Sequence, residues 1–366
     1  MSDGKITRRY FMMGTAAAAA AVAVGPFSGS KRRPVSAMSK LNIAAIGSGG
    51  KGRSDIHGCK SENVVALCDV DWERAAETFS EFPNAKKYKD FREMLDKEDI
   101  DAVTVSTPDH MHAVAALHAM DRGIHVYVQK PLTYTIAEAR MLRNKARSTG
   151  VATQMGNQGH CGDGVRELCE MIWDGAIGQV REAHIWTNRP VWPQGIPRPT
   201  DTPPVPDTLD WDLWVGAAPF REYNPAYAPF AWRGWWDFGC GALGDMACHI
   251  ADPSNWVLRL SEVGPTSVEV MQQEGLNDET YPTSSIIKFE FPARGEMDPV
   301  SVFWYDGGNK PPRPEGVPAD EQLGDGDNGS MFIGTDGVAT AGEYGGKSRL
   351  VPAARMKDYT RPAQTI

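Results

Sequence analysis

Between residues 41 and 156 short apolar runs alternate with helix-compatible stretches, and this alternation constrains the fold more than any other feature of the chain. Leu41–Ile46, Asn63–Cys68, Ala102–Ser106, Ile124–Val128 and Val151–Met155 read as strands. Asp71–Phe82, Phe91–Lys97, Met111–Arg122 and Ile136–Ser148 read as the helices between them. Strands of five or six residues that alternate with helices build βαβ units and a parallel sheet. Their continuous apolar character suits a sheet covered on both faces. The expected class is therefore α/β, with a doubly wound parallel sheet in the N-terminal half.

The chemistry-bearing residues lie where such a sheet binds ligands, at the carboxyl ends of its strands. Gly47, Gly49 and Gly52 form G-x-G-x-x-G, with Gly50 in the same run, after the first strand and at the start of a helix. Alone the spacing is weak, but its placement gives it meaning. The glycines permit a tight turn and close backbone approach, and the helix N-terminus faces a pyrophosphate. Asp69 ends the second strand about 20 residues on, where it would accept hydrogen bonds from ribose hydroxyls. A carboxylate there repels a 2′-phosphate, so NAD is favoured over NADP, with Lys51 and Arg53 as the neighbouring cations that keep NADP as the alternative. The bland alternative is a glycine turn with Asp69 as a helix cap. Thr107-Pro108 and Gln129-Lys130-Pro131 close later strands. Beside a nicotinamide, Lys130 would hydrogen-bond a reacting hydroxyl and stabilise developing negative charge on its oxygen. Pro131 would lock the turn that aims it. The competing reading is an exposed lysine before a turn proline.

Together with the Thr107-Pro108-Asp109-His110-Met111-His112 run and Gly123-Ile124-His125-Val126, these motifs resemble the Gfo/Idh/MocA oxidoreductase family. The resemblance implies an N-terminal Rossmann domain and a C-terminal α+β domain with an open, mostly antiparallel sheet. It also implies a lysine that is catalytic and touches substrate, which falls on Lys130. The usual motif is Glu-Lys-Pro, and Gln129 stands in the Glu place as an uncharged cofactor contact. Thr107, Pro108 and His112 are further cofactor-side candidates. Asp245 and His249 stand four apart, so a helix puts both on one side. They look like the family's Asp-x-x-x-His motif, with His249 as general base and Asp245 orienting it or the substrate. A packed core histidine is the alternative. Asn157, His160, Arg233 and Trp235 are pocket candidates, the last two from a tryptophan-rich stretch suited to sugar faces. No third ligand accompanies Asp245 and His249, so no metal is expected.

Composition narrows the function. The 366 residues carry a formal charge of −9, which argues against a nucleic-acid partner. The six cysteines show no CxxC pairing. Thr7-Arg8-Arg9-Tyr10-Phe11-Met12 precedes a small, apolar stretch to Phe27, too short to span a membrane. The expected division is a twin-arginine signal peptide at 1–37, the Rossmann domain at 38–156 and a substrate-binding and oligomerisation domain at 157–366. The localisation expected is periplasmic or otherwise exported, with no membrane span in the mature protein. The C-terminus ends in what reads as loop, short for this family. The function expected is NAD-dependent oxidation of a secondary hydroxyl on a sugar-type substrate, by a likewise expected homo-oligomer with tightly bound, recycled cofactor. Two other functions compete: glycoside cleavage by transient oxidation, elimination and re-reduction, and non-catalytic carbohydrate binding.

Overall fold

The computed structural model describes residues 39–366, and the twin-arginine segment lies outside them. The described chain forms two units, residues 39–156 with 201–224, and residues 157–200 with 225–366.

In the first unit the elements run β1 (Asn42–Ile46), α1 (Lys51–Gly58), β2 (Asn63–Cys68), α2 (Ala76–Glu81), β3 (Lys86–Tyr88), α3 (Phe91–Lys97), β4 (Ala102–Val105), α4 (Asp109–Asp121), β5 (His125–Gln129), α5 (Ile136–Thr149) and β6 (Thr153–Gly156). The strands form one parallel sheet in the order β3-β2-β1-β4-β5-β6. The chain order reverses beside β1, which creates the crevice where such sheets take ligands. Apolar residues point both ways from each strand. Ile43, Ala45 and Leu67 pack with Ile56 and Phe79 on one face. Ala44, Ile46, Val103, Val105, Val126 and Val128 meet Met94, Ala116 and Met120 on the other. This double coverage is why the strands read as unbroken apolar runs. Helix α5 starts with a Thr135–Glu138 capping box and stops at Gly150 in the left-handed region.

Helix α2 begins later than its periodicity predicts. The Asp71 carboxylate accepts from the backbone N–H groups of Glu73 and Arg74, which holds a turn ahead of it. Residues 201–224, which sequence reading gave to the second domain, return to this unit. Leu209 bridges Asp71, Trp72 N–H donates to Thr208 and the His110 ring meets the Trp214 carbonyl.

In the second unit, α6 (Asp163–Trp173), α7 (Gly241–Ile250) and α8 (Asp252–Val257) accompany a seven-stranded sheet. Its strands are β7 (Val180–Trp186), β8 (Ser267–Glu274), β9 (Ser284–Phe291), β10 (Val300–Tyr305), β11 (Gly329–Gly334), β12 (Val338–Ala341) and β13 (Arg349–Val351). The order is β13-β12-β11-β7-β10-β9-β8, antiparallel except for β7 with β10. Leu168, Met171, Ile185, Met246, Ile250, Trp304 and Phe332 form its core, which anchors α7 against the sheet. The α/β class with a mostly antiparallel second sheet is thus the one expected. Among the described residues no helix is long and apolar enough to cross a membrane.

Candidate active site

In the first unit β1 runs into the glycine loop and then α1. Gly50 has φ 57°, a conformation that costs glycine little. A Cβ on Gly52 would stand 1.8 Å from the Gly47 carbonyl oxygen, so only hydrogen fits there. Gly47 donates its N–H to Cys68 across to β2, while Gly49 lies against Arg74. Helix α1 has no side-chain N-cap, so its first-turn N–H groups have no side chain to satisfy them. An anion such as a pyrophosphate matches that need.

Asp69 is buried at the end of β2, and its carboxylate braces the loop itself. Oδ2 accepts from Ser48 N and Gly49 N at 2.8 Å each, and Oδ1 accepts from Asp71 N. Burial raises its pKa and these three hydrogen bonds pull the other way. The two cations that would have argued for a 2′-phosphate are already engaged, Lys51 with Asp55 and Arg53 with Glu77 and Glu81. Sequence reading missed Arg74, whose guanidinium lies over Gly50. Its signal was its place five residues after Asp69.

Two more strand ends complete this side. The Thr107 hydroxyl is buried with no hydrogen-bond partner among the described residues, beside Pro108 at the start of α4. Lys130 is half-buried after β5, with a cis bond to Pro131. His112, expected among the cofactor contacts, meets two backbone carbonyls. It is fully buried, with Nδ1 2.7 Å from the Pro131 carbonyl and Nε2 2.8 Å from that of Thr107. It therefore staples the Thr107 loop to the Lys130 turn. Burial lowers its pKa, which the two carbonyls oppose. Gln129 ends β5 with its amide on Asp55.

In the second unit Asp245 and His249 are both buried on one face of α7. His249 Nδ1 lies 2.9 Å from Asn157 Oδ1. An amide oxygen there makes Nδ1 the donor and leaves the lone pair on Nε2, the tautomer of a base. The Tyr344 ring meets His249 edge-on at 4.9 Å, a neighbour that no motif announced. Asp245 accepts from Arg233 Nε at 3.3 Å, and the Arg233 guanidinium lies over Trp232. His160 lies 2.9 Å from Asp252 and is stacked on Trp256. Trp235, offered as a pocket residue, is core. It is fully buried, donates its indole N–H to Ala226 and packs edge-on to Tyr227, so no face remains for a ligand. Among the described residues no three His, Cys, Asp or Glu side chains gather as metal ligands.

The chain belongs to the Gfo/Idh/MocA oxidoreductase family. Residues 41–157 match the family's NAD-binding Rossmann fold and residues 191–291 its C-terminal alpha/beta domain, together more than half of the chain. It is similar to an inositol 2-dehydrogenase/D-chiro-inositol 3-dehydrogenase of Lacticaseibacillus casei, 32% identical over 40% of this chain and 45% of that one. A glycosyl hydrolase family 109 protein of Shewanella pealeana is 26% identical over 48% of this chain and 44% of its own. The chain thus spans about half, or less, of these curated relatives. Among solved structures it resembles the WlbA dehydrogenase of Bordetella pertussis in complex with NADH and UDP-GlcNAcA. The TM-score is 0.60 at 17% identity, over 87% of this chain and 80% of that one.

Proposed function

We propose that this protein is an NAD-dependent oxidoreductase that acts on a secondary hydroxyl of a sugar or cyclic polyol. The observation that carries the reading is His249, buried beside Asp245 with Asn157 fixing its tautomer. The glycine loop, the uncapped N-terminus of α1 and the unpartnered Thr107 hydroxyl fit a dinucleotide on the first unit. When bound, NAD supplies the hydride acceptor. His249 Nε2 takes the hydroxyl proton, a contribution of about 10²–10⁴ in rate. Asn157 keeps the imidazole donating from Nδ1 throughout, and Asp245 with Arg233 offers a charged pair to orient hydroxyls. On the first unit Lys130 is the lysine that the family resemblance assigns to substrate, and His112 holds its turn in place.

The Arg8-Arg9 motif supports export with the cofactor already bound, because free nicotinamide nucleotide is not expected outside the cytoplasm. Such a protein must run redox-neutral cycles, either oxidising one sugar and reducing another or cleaving a glycoside through transient oxidation. The glycosyl hydrolase relative favours weighing the second. A homo-oligomer is the expected assembly. The test starts with the protein as purified, denatured without added cofactor and assayed for nucleotide, then supplied with sugars, inositols and aryl glycosides. Stoichiometric NAD with sugar-dependent redox supports the proposal, and released aglycone with no net oxidation selects cleavage. A protein that is empty and binds no added NAD refutes it.

A further inference from the structure

Asp55 belongs to no motif, yet it joins three elements at the ligand end of the parallel sheet. It sits one turn into α1, with only 5% of its side chain exposed. Ser106, just past β4, donates its hydroxyl to Oδ2 at 2.8 Å. Gln129, the last residue of β5, donates from Nε2 to Oδ1 at 3.0 Å and to Oδ2 at 2.9 Å. Lys51, the first residue of α1, places its ammonium 2.8 Å from Oδ1. The far side of the amide is closed by Gly156 of β6, where a Cβ would come 2.7 Å from Nε2. Held this way, Gln129 turns Oε1 toward the Lys130 N–H at 3.3 Å.

This arrangement explains why residue 129 is an amide. A Glu side chain following the same path would set a second carboxylate about 3 Å from the first, and two carboxylates that close cannot both ionise. Only a donor is tolerated opposite Asp55. The negative charge at this strand end therefore resides on α1, immediately behind the glycine loop, where Lys51 neutralises it before any phosphate arrives. A buried anion with three donors is a well-satisfied one.

We propose that Asp55 is a positioning residue for the nicotinamide end of the dinucleotide site, acting through Gln129 on the turn that carries Lys130. The proposal rests on the NAD-binding reading above. Around Asp55 the titratable groups are Lys51 on its own helix and Cys59 just past the end of that helix. Strand β4 leads to Ser106, and β5 adds Gln129 and the Tyr127 hydroxyl beside Gly156.

The test exchanges the two groups and compares wild type, Gln129→Glu, Asp55→Asn and the double variant. Each is measured as apoprotein melting temperature from pH 4.5 to 8 and as NAD affinity by calorimetry at pH 5.5 and 8. In Gln129→Glu one carboxyl of the pair keeps its proton in the fold. Its stability is then full below the unfolded value of about 4.3 and is lost as pH rises through the higher folded value. Gln129→Glu should melt progressively further below wild type toward pH 8 and bind NAD at least tenfold more weakly there than at pH 5.5. The double variant, again one carboxylate facing one amide, should lose that slope and bind NAD within threefold of wild type. Asp55→Asn alone should weaken NAD binding at least fivefold, and this decides the matter if Gln129→Glu does not fold. A Gln129→Glu variant that tracks wild type at every pH overturns the proposal, as does a double variant that binds no better than Gln129→Glu. If wild type binds no NAD the oxidoreductase reading fails instead, and the melting comparison still judges the Asp55–Gln129 pairing.

Discussion

Replacing Gly52 with Ala tests the geometry of the dinucleotide loop directly. The new Cβ would lie 1.8 Å from the Gly47 carbonyl oxygen and 3.3 Å from Ser106 Cβ. Carbon–oxygen contacts begin at about 3.3 Å, so the carbonyl must retreat by about 1.5 Å. It has nowhere to go, because Gly47 N–H is bonded to Cys68 and the next two N–H groups to Asp69. Backbone must move rather than a flexible side chain, which puts the cost at the upper end of overpacking, about 3 kcal/mol. At 2–4 °C per kcal/mol, the melting temperature should fall by about 6–12 °C. NAD binding should vanish with the loop. Gly58→Ala, at the exposed end of the same helix with nothing within 4 Å, is the control. It should leave NAD binding intact and stabilise by at most about 1 kcal/mol. Scanning calorimetry and NAD titration of the two apoproteins decide the matter. A Gly52→Ala protein that melts with wild type and binds NAD equally well refutes the steric argument.

His249→Asn should lower turnover by about 10²–10⁴ while NAD affinity stays within threefold, and equal loss of both would move His249 from chemistry to architecture. Asn157→Leu removes the acceptor that sets the imidazole tautomer and should cost about 10-fold or more in kcat, read by steady-state kinetics. Because the His112 pKa is lowered in the fold, its contribution to stability is full above about 6.5 and is lost as pH falls through the lowered value. His112→Gln should accordingly flatten the acid side of the melting-temperature profile, and an unchanged slope would count against the staple. Native protein at pH 8 should expose Cys161 to Ellman's reagent first. Cys169, pushed up to about 12 by burial first and then by Asp252 and Glu170, should react only on unfolding, and early labelling of it would contradict the packing of α6.

Most of the parallel sheet was legible because its strands are buried on both faces and need no partner to reveal them. Strand β2 begins and ends where its apolar run does. Strand β3, Lys-Lys-Tyr, has no such run, and its pairing with β2 alone makes it a strand. The second sheet was harder. Its strands are separated by proline- and glycine-rich loops, and β7 pairs with residues more than a hundred positions away. In the site, local spacing put Asp245 beside His249, because four residues make one helical turn. Spacing does not announce Tyr344 or Asp55, whose partners come from distant segments. Trp235 misled for the same reason. An aromatic next to Arg233 suggests a sugar platform until tertiary packing closes over both of its faces.

The return of residues 201–224 to the first unit has a practical consequence for anyone who would recombine these parts. The polypeptide passes between the units at 156/157, 200/201 and 224/225, so neither unit is a continuous gene segment. A fragment cut at the boundary of the matched Rossmann region would leave Val70, Trp72 and His110 without the backbone partners that Asp210, Thr208 and Trp214 supply. A chimera that exchanges the second unit must carry the native 201–224 stretch back into the incoming sequence. In modular terms the described residues divide into four pieces of chain around two cores, and any change to the second unit has to leave intact a stretch that folds with the first.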